Sequence, residues 1–155
     1  MKLLLEISGI PIFASPDGTY VYFRSDLDIC NDGSGPSHGD PSYQSQTAYY
    51  NGGKYLNADK DQYIVVPPQI RSGVPPTVMG CQGRLTNLVT KESWPAVVGD
   101  IGPSDKTGEA AYCLAKKANP KITHNTGDTK INYLYELWPG TAAVVDDKQY
   151  KLEPA

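Results

Sequence analysis

Only one stretch of this chain reads as a good helix, and that limits its fold more than any other feature. In 108–119, GEAAYCLAKKAN, the residues Ala111, Leu114, Ala115 and Ala118 fall on one face at helical spacing. Lys116 and Lys117 suit the C-terminal end of such a helix, and Asn119-Pro120 stops it. Elsewhere 15 glycines and 13 prolines break the sequence too often for long helices. The runs between these breakers are short and rich in β-branched and aromatic residues. Segments 2–7, 19–24, 62–66 and 131–138 read as strands, and 78–90 with 94–101 as a hairpin through Lys91-Glu92-Ser93. Pro16-Asp17-Gly18 and Pro139-Gly140 are turns, and 142–152 is a last hairpin or strand. The patterning gives one mainly-β domain over 1–155 with one principal helix, and a barrel is expected.

Residues 25–57 are crowded with Gly, Pro, Ser, Asp and Asn, and the stretch is too long for an ordinary connector. It is expected to be a functional excursion. Charge points the same way: residues 1–65 carry eight acids against four bases, within a total of −3. An acidic half attracts cations and argues against a nucleic-acid partner. No apolar run approaches the roughly 18 residues that would call for a membrane. Met1-Lys2-Leu3-Leu4-Leu5-Glu6 starts like an export signal, but Glu6 and Pro11 interrupt it and no cleavage site follows. Cys30, Cys81 and Cys113 form no metal or redox spacing; one bridge with a free thiol and three reduced thiols are both compatible.

Segment 94–119 holds the most informative chemistry. An expected strand ends at Gly99-Asp100, a Gly/Pro loop follows, and Glu109 is expected to open the helix. Two carboxylates on rigid elements across a tight loop can converge on one groove, as glycosidases require of their acid and base. On this reading the helix start keeps Glu109 ionised, and a partly dry groove raises Asp100, so Asp100 is the acid and Glu109 the base. The alternative is that Asp100 binds loop amides and Glu109 complements the helix dipole. Asp26, Asp28 and Asp32 read as an acidic rim that would hold ammonium groups, and Tyr43 and Tyr49 as rings on which sugars stack. A cation site at Asp26, Asp28, Asn31 and Asp32 fails the calcium-loop spacing, so no metal is expected. His38 and His124 read as unrelated loop histidines, and no nucleotide or phosphate fingerprint implies a cofactor.

The block Gly99-Asp100-Ile101-Gly102-Pro103, then Lys106, Gly108-Glu109 and the small-residue helix, resembles the signature of the chitosanases of glycoside hydrolase family 75. The Asp-rich run 25–33, Asp40-Pro41 and Gln44 to Thr47 extend the resemblance from Thr19 to the C-terminus. It implies a six- or seven-stranded double-psi-type β-barrel, with Asp100 and Glu109, nine positions apart, as the catalytic pair and Lys106 beside the substrate. It also implies endo-hydrolysis of β-1,4 links in chitosan with inversion, a polysaccharide as the only partner, no cofactor, and a monomer. The expected place of action is outside the cell or in the cell envelope. The Asp100 segment is also similar to the aspartate strand of other double-psi barrels, among them lytic transglycosylases and expansin-like proteins. Those offer two other functions: cleavage of peptidoglycan glycan, or binding of wall polymers without cleavage.

Overall fold

A computed structural model describes residues 1–73 and 76–153. Strands make up 47% of it and helices 7%, far below the roughly one third helix of an average globular protein, as the mainly-β reading requires. The chain opens with an antiparallel pair, β1 (Lys2–Ile7) and β2 (Ile10–Ala14), followed by the long β3 (Val21–Cys30). A small hairpin, β4 (Tyr50–Asn51) and β5 (Lys54–Tyr55), lies in the polar excursion. Next come β6 (Tyr63–Val66), a short helix α1 (Pro68–Arg71), and the hairpin β7 (Cys81–Asn87) and β8 (Ser93–Ile101). A short β9 (Glu109–Ala111) runs directly into α2 (Tyr112–Ala118). The long β10 (Asp128–Ala142) and a last hairpin, β11 (Val144–Val145) with β12 (Lys148–Gln149), complete the chain.

Six strands close on themselves in the order β3-β10-β7-β8-β6-β9, because β9 pairs with both β6 and β3. Closure leaves no free strand edge in the ring, and β1 and β2 extend the sheet outward from β3. Alternation along β3 shows how the sequence specifies the wall: Val21, Phe23 and Leu27 are buried, while Tyr22, Arg24 and Asp26 between them face away. Phe23 stacks on Tyr135 inside the barrel at 5.2 Å between ring centres, and the Tyr135 hydroxyl donates to the Asp26 carbonyl at 2.6 Å. Truncating such a ring, Phe23→Ala, costs about 3–5 kcal/mol. All three cysteines are unpaired, with Cys30 and Cys81 buried.

Two elements depart from the sequence reading, and both bear on the site. The helix starts at Tyr112, so Glu109 lies on a strand and not at a helix start. Ala110 and Ala111 are wholly buried in the seam that closes the barrel, with ladders on both sides. Two rows of ladder bonds plus burial outweigh a helix preference of under about 1 kcal/mol per residue. The second departure is that β3 continues through Cys30, which moves Asp26 and Asp28 from the expected excursion onto a rigid strand. A smaller difference is that β10 runs through Pro139-Gly140, its register to β7 breaking between Trp138 and Ala142.

Candidate active site

The barrel wall carries a row of acidic residues at one register. Asp28 on β3 pairs with Glu109 on β9, Glu109 pairs with Val65 on β6, and Val65 pairs with Asp100 on β8. Paired residues in a sheet share a face, so these four side chains point the same way, opposite to the core residues Ile64 and Ala110. Asp100 reaches this face through a bulge. Val98 pairs with Ile64, but Asp100, two residues on, pairs with Val65, so Gly99 is the extra residue. Were Gly99 an ordinary paired residue, the period of two would send Asp100 to the same side as Val98, into the core. Gly99 also suits the crowding there, since a Cβ would come within 2.2 Å of Leu56 Cδ1.

The excursion folds over this face and makes a cleft of about 520 Å³, lined among others by Asp28, Asp32, Asp40, Asp100, Glu109 and Lys106. Its backbone is tied to the barrel at the site itself: Ala48 N–H donates to Asp100 Oδ1 at 2.9 Å, and Tyr49 N–H to the Gly99 carbonyl at 2.9 Å. Asp100 Oδ1 also accepts from the Ile101 N–H at 2.9 Å, while the Cys30 thiol lies 3.9 Å from Oδ2. Burial pushes the Asp100 carboxyl up to about 6, with the two amide bonds pulling it back down. Glu109 is pushed further, to about 7: burial is the main cause, Lys106 opposes it, and Asp28 adds to it. Among the described residues no donor bonds the Glu109 carboxylate. Gly102 leaves it room, because a Cβ there would lie 3.1 Å from Glu109 Oε1 and 3.0 Å from Val65 Cγ1.

This arrangement removes the reason for the expected roles. No helix start holds Glu109 ionised; burial favours its protonated form, and Asp100 is the one held by amides. Asp28 and Lys106 form an ion pair at 3.0 Å on the cleft wall, and Asp32 also lines the cleft, its Oδ1 accepting from the Gln44 N–H at 2.8 Å. Asp26 does not line it: its side chain borders a smaller cavity of about 190 Å³ with Ser8, Asp105 and Thr129. Tyr43 and Tyr49 do not line it either. The Tyr43 hydroxyl donates to the Gly33 and Gly35 carbonyls and braces the excursion. Tyr49 is only 4% exposed, and its hydroxyl donates to the Lys151 carbonyl. Asn31, weighed in the sequence as a cation ligand, and Asp40, named there only in its motif, also line the cleft, because the excursion folds back onto β3.

Residues 26–154 match the sequence model described as fungal chitosanase of glycosyl hydrolase group 75. The chain belongs to that family. No curated protein matches it. The group 75 match begins at Asp26 and takes in the whole acidic row, the bulge at Gly99 and the excursion, so the chain is a glycoside hydrolase and the row lies inside its family domain.

Proposed function

We propose that this group 75 enzyme is an inverting endo-chitosanase in which Glu109 is the general acid and Asp100 the general base. The carrying observation is that the two residues flank Val65, one strand to either side, and face one cleft. Neighbouring strands lie about 4.8 Å apart, so two spacings separate the Cα atoms by roughly 9.5 Å. Inverting glycosidases hold their carboxyls ~6.5–9.5 Å apart to admit a water between base and sugar, whereas retaining enzymes need about 5 Å. Glu109, the less readily ionised, protonates the departing glycosidic oxygen. Asp100, with its Oδ1 anchored by two amides, takes a proton from water as that water attacks C1 from the opposite side. The bond to the leaving oxygen breaks as the water–carbon bond forms, and the anomeric configuration inverts. Asp28 and Asp32, both on the cleft wall, attract the ammonium groups of glucosamine units.

The same reading makes the barrel one of double-psi type, acting as a monomer on polysaccharide outside the cell or in the envelope. The test is incubation of the pure protein with chitosan and, separately, with peptidoglycan sacculi. Chitosan oligomers whose new reducing ends appear first as the α-anomer by NMR are expected. Products from sacculi alone would transfer the site to peptidoglycan glycan, and products from neither would leave a wall-binding barrel. Azide is expected to rescue Asp100→Ala, yielding a glycosyl azide; rescue confined to Glu109→Ala would reverse the two roles.

A further inference from the structure

Away from the acidic row, three segments distant in sequence bring His38, Asp59 and His124 together. His38 Nε2 lies 2.7 Å from Asp59 Oδ2. One ring nitrogen from each histidine and a carboxylate oxygen of Asp59 all lie within 4.8 Å of one another. The rings form a stack of three, His124 lying between His38 and Tyr112 at 3.5 Å from each. The tautomer of His124 follows from its neighbour. Asn31, 1% exposed, spends both amide hydrogens on Asp40 Oδ2 at 3.1 Å and the His124 carbonyl at 2.8 Å. Its Oδ1, 3.1 Å from His124 Nδ1, must therefore accept, which puts the proton on Nδ1 and the lone pair on Nε2. A hydrogen bond of this kind at one ring nitrogen fixes the tautomer and leaves the other, Nε2, as the nitrogen able to bind a metal.

A second observation points to a cation. Asp59 Oδ1 is buried and has no hydrogen-bond partner among the described residues, and an ionised oxygen left so costs stability unless a positive charge is near. His38 already serves Oδ2, so what is lacking is a partner that can face both oxygens and both rings. We infer that His38, Asp59 and His124 form a site for a divalent transition-metal ion of the zinc type, outside the catalytic cleft. Two imidazoles and one carboxylate suit borderline-soft cations over calcium or magnesium. Ligand atoms sharing a tetrahedral zinc at ~2.0–2.2 Å lie roughly 3.5 Å apart, inside the 4.8 Å within which these atoms gather, while His38 Nε2 and Asp59 Oδ2, at 2.7 Å, would move apart. The stacked rings must also open, since parallel lone pairs do not meet at one ion. His38 and Gly39 both hold positive φ, 51° and 73°, in an exposed turn. Binding displaces the proton shared between His38 and Asp59 and releases it to water.

Such an ion would fasten the excursion, through His38, to the segment before β6 and to the loop after α2. It would leave Asp100 and Glu109 untouched. The experiment is thermal unfolding of the whole protein with Zn²⁺ titrated against EDTA, together with visible spectra in Co²⁺. A saturable rise in Tm is expected, roughly 5–10 °C at a hundredfold excess over Kd, with tetrahedral-type Co²⁺ bands. Both signals should vanish in His124→Gln and in the milder loop variant His38→Gln, and persist in Cys30→Ser. The Cys30 variant matters because Cys30, Asp32 and Asp100 form a second cluster inside the cleft. Loss of the signals in Cys30→Ser with retention in both histidine variants would overturn the inference, as would the absence of any Tm shift and Co²⁺ band.

Discussion

Two glutamates on the strands of this barrel have opposite surroundings. Glu136 on β10 accepts two bonds from Arg84, at 2.8 and 3.0 Å, and another from the Tyr20 hydroxyl. Those donors outweigh its burial and hold it below the ordinary carboxylate range. Glu109 on β9 has burial without donors and is pushed up to about 7. A carboxylate that serves only the fold is given partners, because an unpaired buried charge costs stability. A carboxylate kept without partners at a cleft wall has another use, and a general acid must hold its proton near working pH.

The largest expected effect tests that contrast directly. Glu109→Gln and Asp100→Asn should each lower kcat/KM for chitosan by about a thousandfold or more, with little change in Tm at pH 4, where both parent carboxyls keep their protons. Glu136→Gln should do the reverse: activity per folded molecule is kept, while unfolding by urea shows a loss of about 1–3 kcal/mol, the cost of breaking a charged bonded pair. Equal losses of activity in Glu136→Gln and Glu109→Gln would end the distinction between the two sites.

A smaller effect concerns recognition. Asp28 neighbours Glu109 in the row and pairs with Lys106. Asp28→Asn should raise KM for chitosan about tenfold and leave binding of its acetylated form nearly unchanged, because only the free ammonium feels the lost charge. Equal weakening of both polymers, measured by calorimetry, would reduce Asp28 to a positioning role for Lys106.

The pH dependence sharpens the comparison further, since the two glutamates tilt stability in opposite directions. Glu109 is raised in the folded state, so the native form keeps its proton longer and stability falls as pH rises from the ordinary 4.5 to about 7. Glu109→Gln should remove that fall, making the variant more stable than the parent at pH 8 and equal to it at pH 4. Glu136 is lowered, so its contribution is present above 4.5 and is lost as pH falls through its folded value. Urea midpoints across pH 3–8 should therefore diverge upward for one variant and downward for the other. On activity, Asp100 near 6 must be ionised and Glu109 near 7 protonated, which sets a narrow optimum between them.

Much of the barrel was legible because alternation and breakers are local. The 2–7 strand, the 78–101 hairpin and the last hairpin follow from patterns contained in a few residues. Asp100 and Glu109 were legible as a pair through their motif, yet Glu109's environment was not. Its Ala-rich surroundings favour a helix, and only the closing ladders to β3 and β6, formed by residues far away in the chain, make the segment extended. Tyr49 shows the same limit: a tyrosine in a polar stretch reads as exposed, but the excursion folds it under Lys151. His38 and His124 meet only because the excursion crosses the loop after α2, and no spacing in the sequence records that crossing.

The smallest effect, and the most local, is at Gly102. A Cβ at this position would sit 3.1 Å from Glu109 Oε1 and 3.0 Å from Val65 Cγ1, tighter than ordinary contact but short of a backbone clash. Val65 is locked between β8 and β9, whereas the Glu109 carboxyl is bonded to no donor among the described residues, so the glutamate gives way. Gly102→Ala should then shift the acid by a few tenths of an ångström and reduce kcat about three- to tenfold, with KM and Tm close to the parent's. In a Glu109→Gln background the same change should cost almost nothing, because there is no acid left to misplace. The double-mutant cycle supplies the discrimination. If the two losses multiply independently, Gly102 serves the loop and not the acid, and the open space around Glu109 is packing slack. If the second loss disappears, the glycine is there to let an unpartnered carboxyl reach the glycosidic oxygen, a requirement with no counterpart around Glu136.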